Sequence, residues 1–276
     1  MGLIFSLKYL KLDNINITNF SYFEIGNLEY FSADPSVFFA AIYFACESVR
    51  YLNLNNKKFI FYFIFSFLCF LPLLLTGFRL QIFLFLLSFL FINLIYFFYR
   101  PYKTIVILSL SFLLYIIFFD LFNRSFFLLL TKHINLGVNG RDLELFALNE
   151  IKNVSQFIFG FGWGSLFNTP LIQGSVRFVH NFFLYFYIKT GFVGFLSILS
   201  VVIFTFIVLI KVILKKIFNF RRIVNNNDLS ISLASFSCLI YAFFFSGAFK
   251  SLSIGLILII VSCLNLKKKL TRFKYD

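Results

Sequence analysis

The sequence predicts an all-α fold: a polytopic transmembrane helical bundle with one large extracytoplasmic loop containing short amphipathic helices. Three observations carry that prediction. Of 276 residues, 61% are hydrophobic and only 13% are charged, with mean hydropathy +0.91. No water-soluble domain of this length needs so much apolar surface. The apolar residues form long runs that are apolar all round, whereas a β-barrel would show short alternating segments. The polar residues collect between these runs, and one polar stretch is far longer than the others.

Taken in order, residues 1–276 read as a single integral membrane domain. Met1–Leu10 is too short an apolar run for a signal peptide, and no small-residue cleavage site follows it. Residues 11–34 are polar. Pro35 opens a first span at about 37–51 that ends with Glu47 and Arg50. A basic loop precedes the span 59–76. The turn Gly77-Phe78-Arg79 leads into the span 80–99, and Arg100-Pro101-Tyr102-Lys103 leads into 104–122. Residues 123–179 form the long loop, and 181–210 is a long apolar helix. A basic segment, 211–228, precedes a closing hairpin of spans at 229–249 and 251–266. Cys46, Cys69, Cys238 and Cys263 stand singly within apolar runs, without disulfide or metal-ligand spacing, and are expected to be small core or lipid-facing residues.

Charge sets the orientation. The net charge is +14, which in a soluble protein would suggest nucleic acid. Here no nucleic acid is expected, because most of the basic residues lie in short loops beside apolar runs. With the C-terminal tail inside, 15 of the 25 Lys and Arg residues share its face, and 8 of the 11 acids lie on the other. The tail and 211–228 are therefore expected in the cytoplasm, and 123–179 outside. Seven spans then put the N-terminus outside, which predicts further helices upstream of Met1.

The turn at Arg79, the long loop and His180 thus share the outer face. Arg79 is the one charge in an apolar stretch from Phe59 to Tyr99. Ionisable residues at membrane depth cost roughly 2.5–3.5 kcal/mol at a helix centre and tend to be functional; the plainer reading is a turn residue that snorkels to water. Asn139-Gly140-Arg141-Asp142 precedes a run in which Leu143, Phe146, Ala147 and Ile151 fall on one helical face. Arg141 gains nothing from the dipole at a helix start, so it reads either as ligand-facing or as a solvated surface residue. Phe159-Gly160-Phe161-Gly162-Trp163-Gly164-Ser165 has three alternating glycines, which permit a positive φ and the close approach of another backbone. It lacks the Lys-Ser/Thr pair of a phosphate loop and reads as a turn packed on the bundle. His180-Asn181 ends the polar loop and opens the apolar helix. Read alone it is a cap beside an interfacial residue; an imidazole there can also take or give a proton near neutrality.

Together these pieces resemble the O-antigen polymerase/ligase family. Gly77-Phe78-Arg79 resembles its Ser-Arg turn, with Phe78 where the family has Ser. Asn139-Gly140-Arg141, the amphipathic run and Phe159–Gly164 resemble its large external loop. His180-Asn181, Leu184, Gly191 and Gly194 resemble its most specific signature. The resemblance covers about residues 35–266, and full members carry more spans than the seven predicted here. It implies a glycosyltransferase of the bacterial inner membrane acting on the periplasmic face, as polymerase or ligase, in lipopolysaccharide and other surface polysaccharide assembly. The implied partners are an undecaprenyl-pyrophosphate-linked glycan, a glycan or lipid A-core acceptor, membrane lipid, and chain-length regulators or other assembly proteins. It implies that Arg79 and Arg141 bind pyrophosphate and that His180 is the base, with Arg177 and Asn181 in support.

The residue chemistry is compatible with this. A sugar-pyrophosphate bond already has a good leaving group. Guanidinium forks can stabilise the departing charge without a metal, and the acceptor hydroxyl then needs only a base. A glycosidase would want a matched carboxylate pair, and the loop acids show none. No Asp-x-Asp or His/Glu/Asp cluster suggests a metal, so no cofactor is expected. Two other classes stand beside this reading. A lipid-linked sugar flippase or other transporter should place charges or broken helices near the midplane, often in repeated halves. A nonenzymatic scaffold gives no reason for His180 and two arginines to share a face.

Overall fold

A computed structural model of the chain describes residues 35–52, 54–76, 79–98, 100–117, 119, 123, 148, 151–169, 172–176, 182–218, 227–244 and 261. Most of these residues are helical; the rest form one short antiparallel hairpin and the turns and loops between elements. The elements are α1 (Pro35–Tyr51), α2 (Asn56–Thr76), α3 (Arg79–Phe97), α4 (Pro101–Ile117), α5 (Val154–Phe159), β1 (Phe167–Thr169), β2 (Ile172–Val176), α6 (Phe182–Phe218) and α7 (Asp228–Phe244). Three helical stretches, Asn56–Leu74, Leu80–Phe97 and Phe182–Lys215, are long and apolar enough to cross a membrane; α4 and Asp228–Ala242 of α7 are shorter apolar helices. Large apolar side chains stand exposed along them, among them Ile60 and Ile64 on α2, Phe83, Leu87, Leu90 and Leu94 on α3, and Val201, Phe204 and Ile207 on α6. Their spacing of three and four residues makes apolar stripes suited to hydrocarbon. The chain is a membrane protein on these grounds. The predicted span 251–266 lies outside the described residues except for Val261.

Two compact units divide the chain. The first comprises Met1–Thr131 and Lys211–Cys238. Its centre is α1, which Pro35 begins at a position where a missing N–H costs nothing. Every residue from Ala45 to Arg50 is buried, so α1 is enclosed on all sides near its C-terminal end. It packs chiefly on α2 and also on α3. Small residues permit this closeness: Ala41, Ala45 and Cys46 face neighbours, and the Ser66 hydroxyl of α2 donates to the Ala41 carbonyl at 3.0 Å. The start of α7 offers a similar small-residue surface. Ser230, Ser232, Ala234, Ser235, Ser237 and Cys238 are all buried, Ser237 shares a hydrogen bond of 2.9 Å with Ser88 of α3, and the Cys238 thiol donates to the Pro35 carbonyl at 3.5 Å. Cys46, Cys69 and Cys238 are buried free thiols.

One ion pair is buried among the described residues of this unit. The Arg50 guanidinium lies 2.5 Å from the Glu47 carboxylate one turn earlier, with the residues 9% and 1% exposed. The Ser230 hydroxyl of α7 lies beside that carboxylate, and the Tyr43 hydroxyl faces the Asn227 side chain. The pair lies within α1, at the end of the helix that faces the start of α7.

The second unit comprises Lys132–Ile210 and Leu239–Asp276. Here the structure corrects one expectation. The apolar run 181–210, read as one helix, is broken at Gly191, where φ is 64° and ψ is −169°. Only glycine takes that backbone conformation readily. The run becomes a nine-residue arm, Phe182 to Thr190, and a longer arm beginning at Phe192, and the two fold back on each other. Phe183 and Tyr187 of the first arm meet Phe195 of the second with ring centroids 6.0 and 6.2 Å apart. Nine helical residues extend only about 14 Å, too short to cross a bilayer. Uniform hydrophobicity hid the break, because both arms are apolar and the turn between them is a single glycine. The long loop also holds a hairpin that its polar composition did not announce, with Phe167 opposite Val176, Asn168 opposite Ser175 and Thr169 opposite Ile172. Of the amphipathic run beginning at Leu143, Leu148, Ile151 and Lys152 are described; Leu148 belongs to a 3-10 turn, and the other two stand outside any helix.

The ion pair generates a test. Removing one partner strands the other charge in an apolar interior, which costs about 3–5 kcal/mol, whereas replacing both with apolar side chains is close to neutral. Glu47→Leu and Arg50→Met should each strongly lower the unfolding temperature in detergent. The double variant should recover most of the loss. Additive losses would show that the two residues act separately.

Candidate functional site

The candidate site is the junction between the glycine-rich segment and the break in α6, all within the second unit. The segment starts at α5. Gln156 ties down its first turn by accepting at its side-chain oxygen from the backbone N–H groups of Lys152 and Asn153, at 3.0 and 3.3 Å. α5 ends at Gly160, whose φ of 73° turns the chain out of the helix while its N–H still donates to the Gln156 carbonyl at 2.8 Å.

The turn brings the backbone onto α6. A helix broken at Gly191 leaves carbonyls in the preceding turn without their usual donors four residues on, and buried carbonyls must find others. The glycine-rich segment supplies them: Phe161 N–H donates to the Ile188 carbonyl at 2.8 Å, and Gly162 N–H to the Lys189 carbonyl at 3.0 Å. This needs backbone-to-backbone contact. A methyl group on Gly160 would overlap the Lys189 carbonyl and the Gly191 nitrogen; one on Gly191 would overlap the Ile158 carbonyl and the Gly160 nitrogen. Each glycine makes room for the other. Gly194 leaves similar space for the Thr190 side chain across the break.

Lys189 fastens the far end of the segment. It is 1% exposed, and its ammonium donates to the Ser165 carbonyl and, at 3.1 Å, to the Ser165 hydroxyl. That hydroxyl donates in turn to the Gly162 carbonyl at 2.7 Å. A buried ammonium is tolerable only with such partners. Aromatic rings close the sides. Phe157 packs between Tyr187 and Phe192 at 5.9 and 6.0 Å, and Trp163 sits edge-on to Tyr185 and Phe186 at 6.1 and 5.9 Å. Beneath them Phe182, Leu184, Tyr185, Phe186, Ile188 and Val202 form an apolar core. Phe159 and Trp163 themselves remain 69% and 61% exposed, as suits an aromatic rim at a membrane interface.

The sequence-predicted site residues fall around this junction or away from it. Arg79 is the first residue of α3, in the first unit, and its side chain lies outside the described residues. Arg141, Arg177, His180 and Asn181 also lie outside them. No contact among the five falls within the described residues. By connectivity, Arg177 to Asn181 are the five residues that link β2 to the first arm of α6. Sequence reasoning missed Lys189, although its signal was present: it is the only charge in the apolar stretch from Phe178 to Ile210. Among the described residues, no three His, Cys, Asp or Glu side chains gather as a metal cluster.

No family model, curated protein or solved structure matches the chain.

The junction makes a graded prediction. Gly160→Ala and Gly191→Ala should each destabilise the fold, since a backbone with positive φ and extended ψ costs a non-glycine residue about 1–3 kcal/mol before any steric overlap. Lys189→Met, which strips two hydrogen bonds from Ser165, should release residues 160–165 at a cost of about 1–3 kcal/mol. Gly164→Ala, whose added methyl would meet nothing within 4 Å, should be neutral. Limited proteolysis in detergent should cleave the first three variants between α5 and β1 faster than the fourth.

Proposed function

We propose that the protein is a membrane glycosyltransferase that moves a glycan from an undecaprenyl-pyrophosphate donor to a sugar hydroxyl, as a polymerase or ligase of surface polysaccharide on the outer face of the inner membrane. One observation supports this above the others. Two separated stretches that carry the family resemblance, Phe159–Gly164 and the described part of the run that continues from His180 through Gly191 to Gly194, meet in one hydrogen-bonded junction. Their glycines are thereby explained as a single device that fixes the start of α6, next to which His180 stands in sequence.

In the proposed reaction His180 takes the proton of the acceptor hydroxyl as its oxygen bonds to the sugar C1 carbon. The bond from C1 to the pyrophosphate breaks, and that oxygen leaves with the electron pair. Arg79 and Arg141 hold the departing charge through paired N–H groups. Arg177 and Asn181 support the base. Lys189 takes no part in the chemistry; it is a positioning residue that keeps the junction closed.

The break in α6 also favours a second reading, transport, because broken helices line many solute sites. Such a site needs its loosened carbonyls open to a solute. Here the loop N–H groups occupy the Ile188 and Lys189 carbonyls, and Ser165 holds the Lys189 ammonium, so the break is filled by the protein itself.

The test is glycan transfer in cells lacking the native gene. His180→Ala should reduce transfer by about 10²–10⁴-fold at normal abundance. Arg79→Lys and Arg141→Lys should each lose much of it although the charge is kept, since an ammonium cannot hold two phosphate oxygens as a planar fork does. Near-normal transfer in all three would refute the assignment. The topology is tested separately: a cysteine introduced near Asn168 should react with an impermeant label from outside, and one near Asn226 should not.

A further inference from the structure

We propose that the first unit binds one anionic glycerophospholipid, its phosphate on the basic ends of α1–α4 and part of one acyl chain in a cleft between those helices. The observations are independent of the proposed transfer reaction.

The cleft is about 200 Å³ in volume. Ala45 and Ser48 of α1 line it, with Phe63, Ser66, Phe67 and Phe70 of α2, Phe85, Leu86 and Phe89 of α3, and Ser111, Leu114 and Tyr115 of α4. Three serines could make such a cleft polar, yet each spends its hydroxyl on a backbone carbonyl: Ser48 on Ala45 at 2.7 Å, Ser66 on Ala41 at 3.0 Å and Ser111 on Ile107 at 2.9 Å. What the serines contribute is small size. An apolar, dry cavity of roughly 150 Å³ accepts a benzene-sized molecule, so this one accepts a somewhat longer hydrocarbon segment. α4 packs against α3 and buries little beyond Thr104 and Ile107, which leaves the cleft a lipid-facing wall.

Charge identifies the occupant among hydrocarbon-bearing molecules. At the end of the unit where α1 stops and α2 starts, Lys57, Lys58, Arg100 and Lys103 are all exposed. Two of them close on one turn: the Lys58 ammonium lies 5.2 Å from the Tyr51 ring centre, and that of Lys103 lies 3.5 Å from the Leu52 carbonyl. Among the described residues, the acids at this end are Glu47, buried against Arg50, and Asp228, half-buried in the first turn of α7. The surface is left strongly positive. Phe63 stands five residues beyond Lys58, and Ser111 eight beyond Lys103, so the cleft begins about 8–12 Å below the basic end along the helices. Phosphates sit roughly 5–8 Å outside the hydrocarbon core, which puts the basic residues at headgroup depth and the cleft in the upper hydrocarbon. A polyprenyl pyrophosphate donor is assigned elsewhere, since Arg79 lies at the opposite end of α3 from Arg100.

The experiment is native mass spectrometry of the full chain, released from nanodiscs of equal parts phosphatidylglycerol and phosphatidylcholine. The expected result is one retained phosphatidylglycerol per chain. The triple variant Lys57→Gln, Lys58→Gln, Lys103→Gln should bind it roughly 100-fold more weakly, and the corresponding triple Arg variant should retain it. Ser111→Phe, which fills the cleft from the peripheral helix, should lose the lipid with all basic residues in place, and Ser111→Ala should keep it. The proposal is overturned by equal retention of the two lipids, by undiminished binding in the Gln variant, or by undiminished binding in Ser111→Phe. Preferential retention of an added polyprenyl phosphate would equally overturn the choice of a glycerophospholipid.

Discussion

The second unit depends on the mutual fit of two glycines. Gly191 adopts a backbone that ends a helix in the middle of an apolar run, and Gly160 brings a second strand of backbone close enough to use the carbonyls released there. Neither feature is stable alone. A broken apolar helix with open carbonyls loses several kcal/mol per stranded group in hydrocarbon, and the glycines of the loop carry a high conformational entropy unless the loop is docked. Joined, each satisfies the other. The buried Lys189 follows from this, because its ammonium has hydrogen-bond acceptors at Ser165 only while the loop is docked.

The first unit solves a different problem. Its helices are apolar toward lipid and toward each other, so hydrophobicity alone cannot pair them. Association rests on closeness and on short polar contacts: Ser66 to Ala41, Ser88 to Ser237 and Cys238 to Pro35. Small residues at these crossings let backbones approach, and rings fill the remaining space, with Phe70 stacked on Phe85 at 4.1 Å and Tyr51 on Tyr62 at 5.1 Å. The Glu47–Arg50 pair adds directional contact near the end of α1. The many phenylalanines therefore have two jobs, one as lipid-facing surface and one as packing between helices.

Two kinds of charge stand beside the apolar helices: charges locked to a partner, as Glu47, Arg50 and Lys189 are, and charges carried at helix ends, as Lys57, Lys58 and Lys103 are. The first kind fixes geometry. The second kind is available to anionic groups from outside the protein. The candidate chemistry of the glycan-transfer reading calls on a third kind, side chains beside a helix start, of which His180 is the example.

The membrane class, the apolar stretches behind α2, α3, α4 and α7, and the contact-making character of the glycine-rich segment were legible in the sequence, because each is a local property. Length of an apolar run limits what can cross a bilayer, Pro35 marks a helix start, and alternating glycines announce close backbone approach whatever the partner. The partner itself was not legible. Gly160 and Gly191 are thirty-one positions apart, and no local pattern states that one carbonyl set will be served by the other segment's N–H groups. The Phe-rich run from Phe182 onward looked continuous because hydropathy averages over a single glycine, whereas backbone dihedrals do not. The same holds for Glu47 and Ser230, and for the cleft among α1–α4. Composition already dictates that these segments must avoid water. Only the tertiary structure decided which backbone groups satisfy one another, because hydrogen bonds are settled by distance and direction and not by composition.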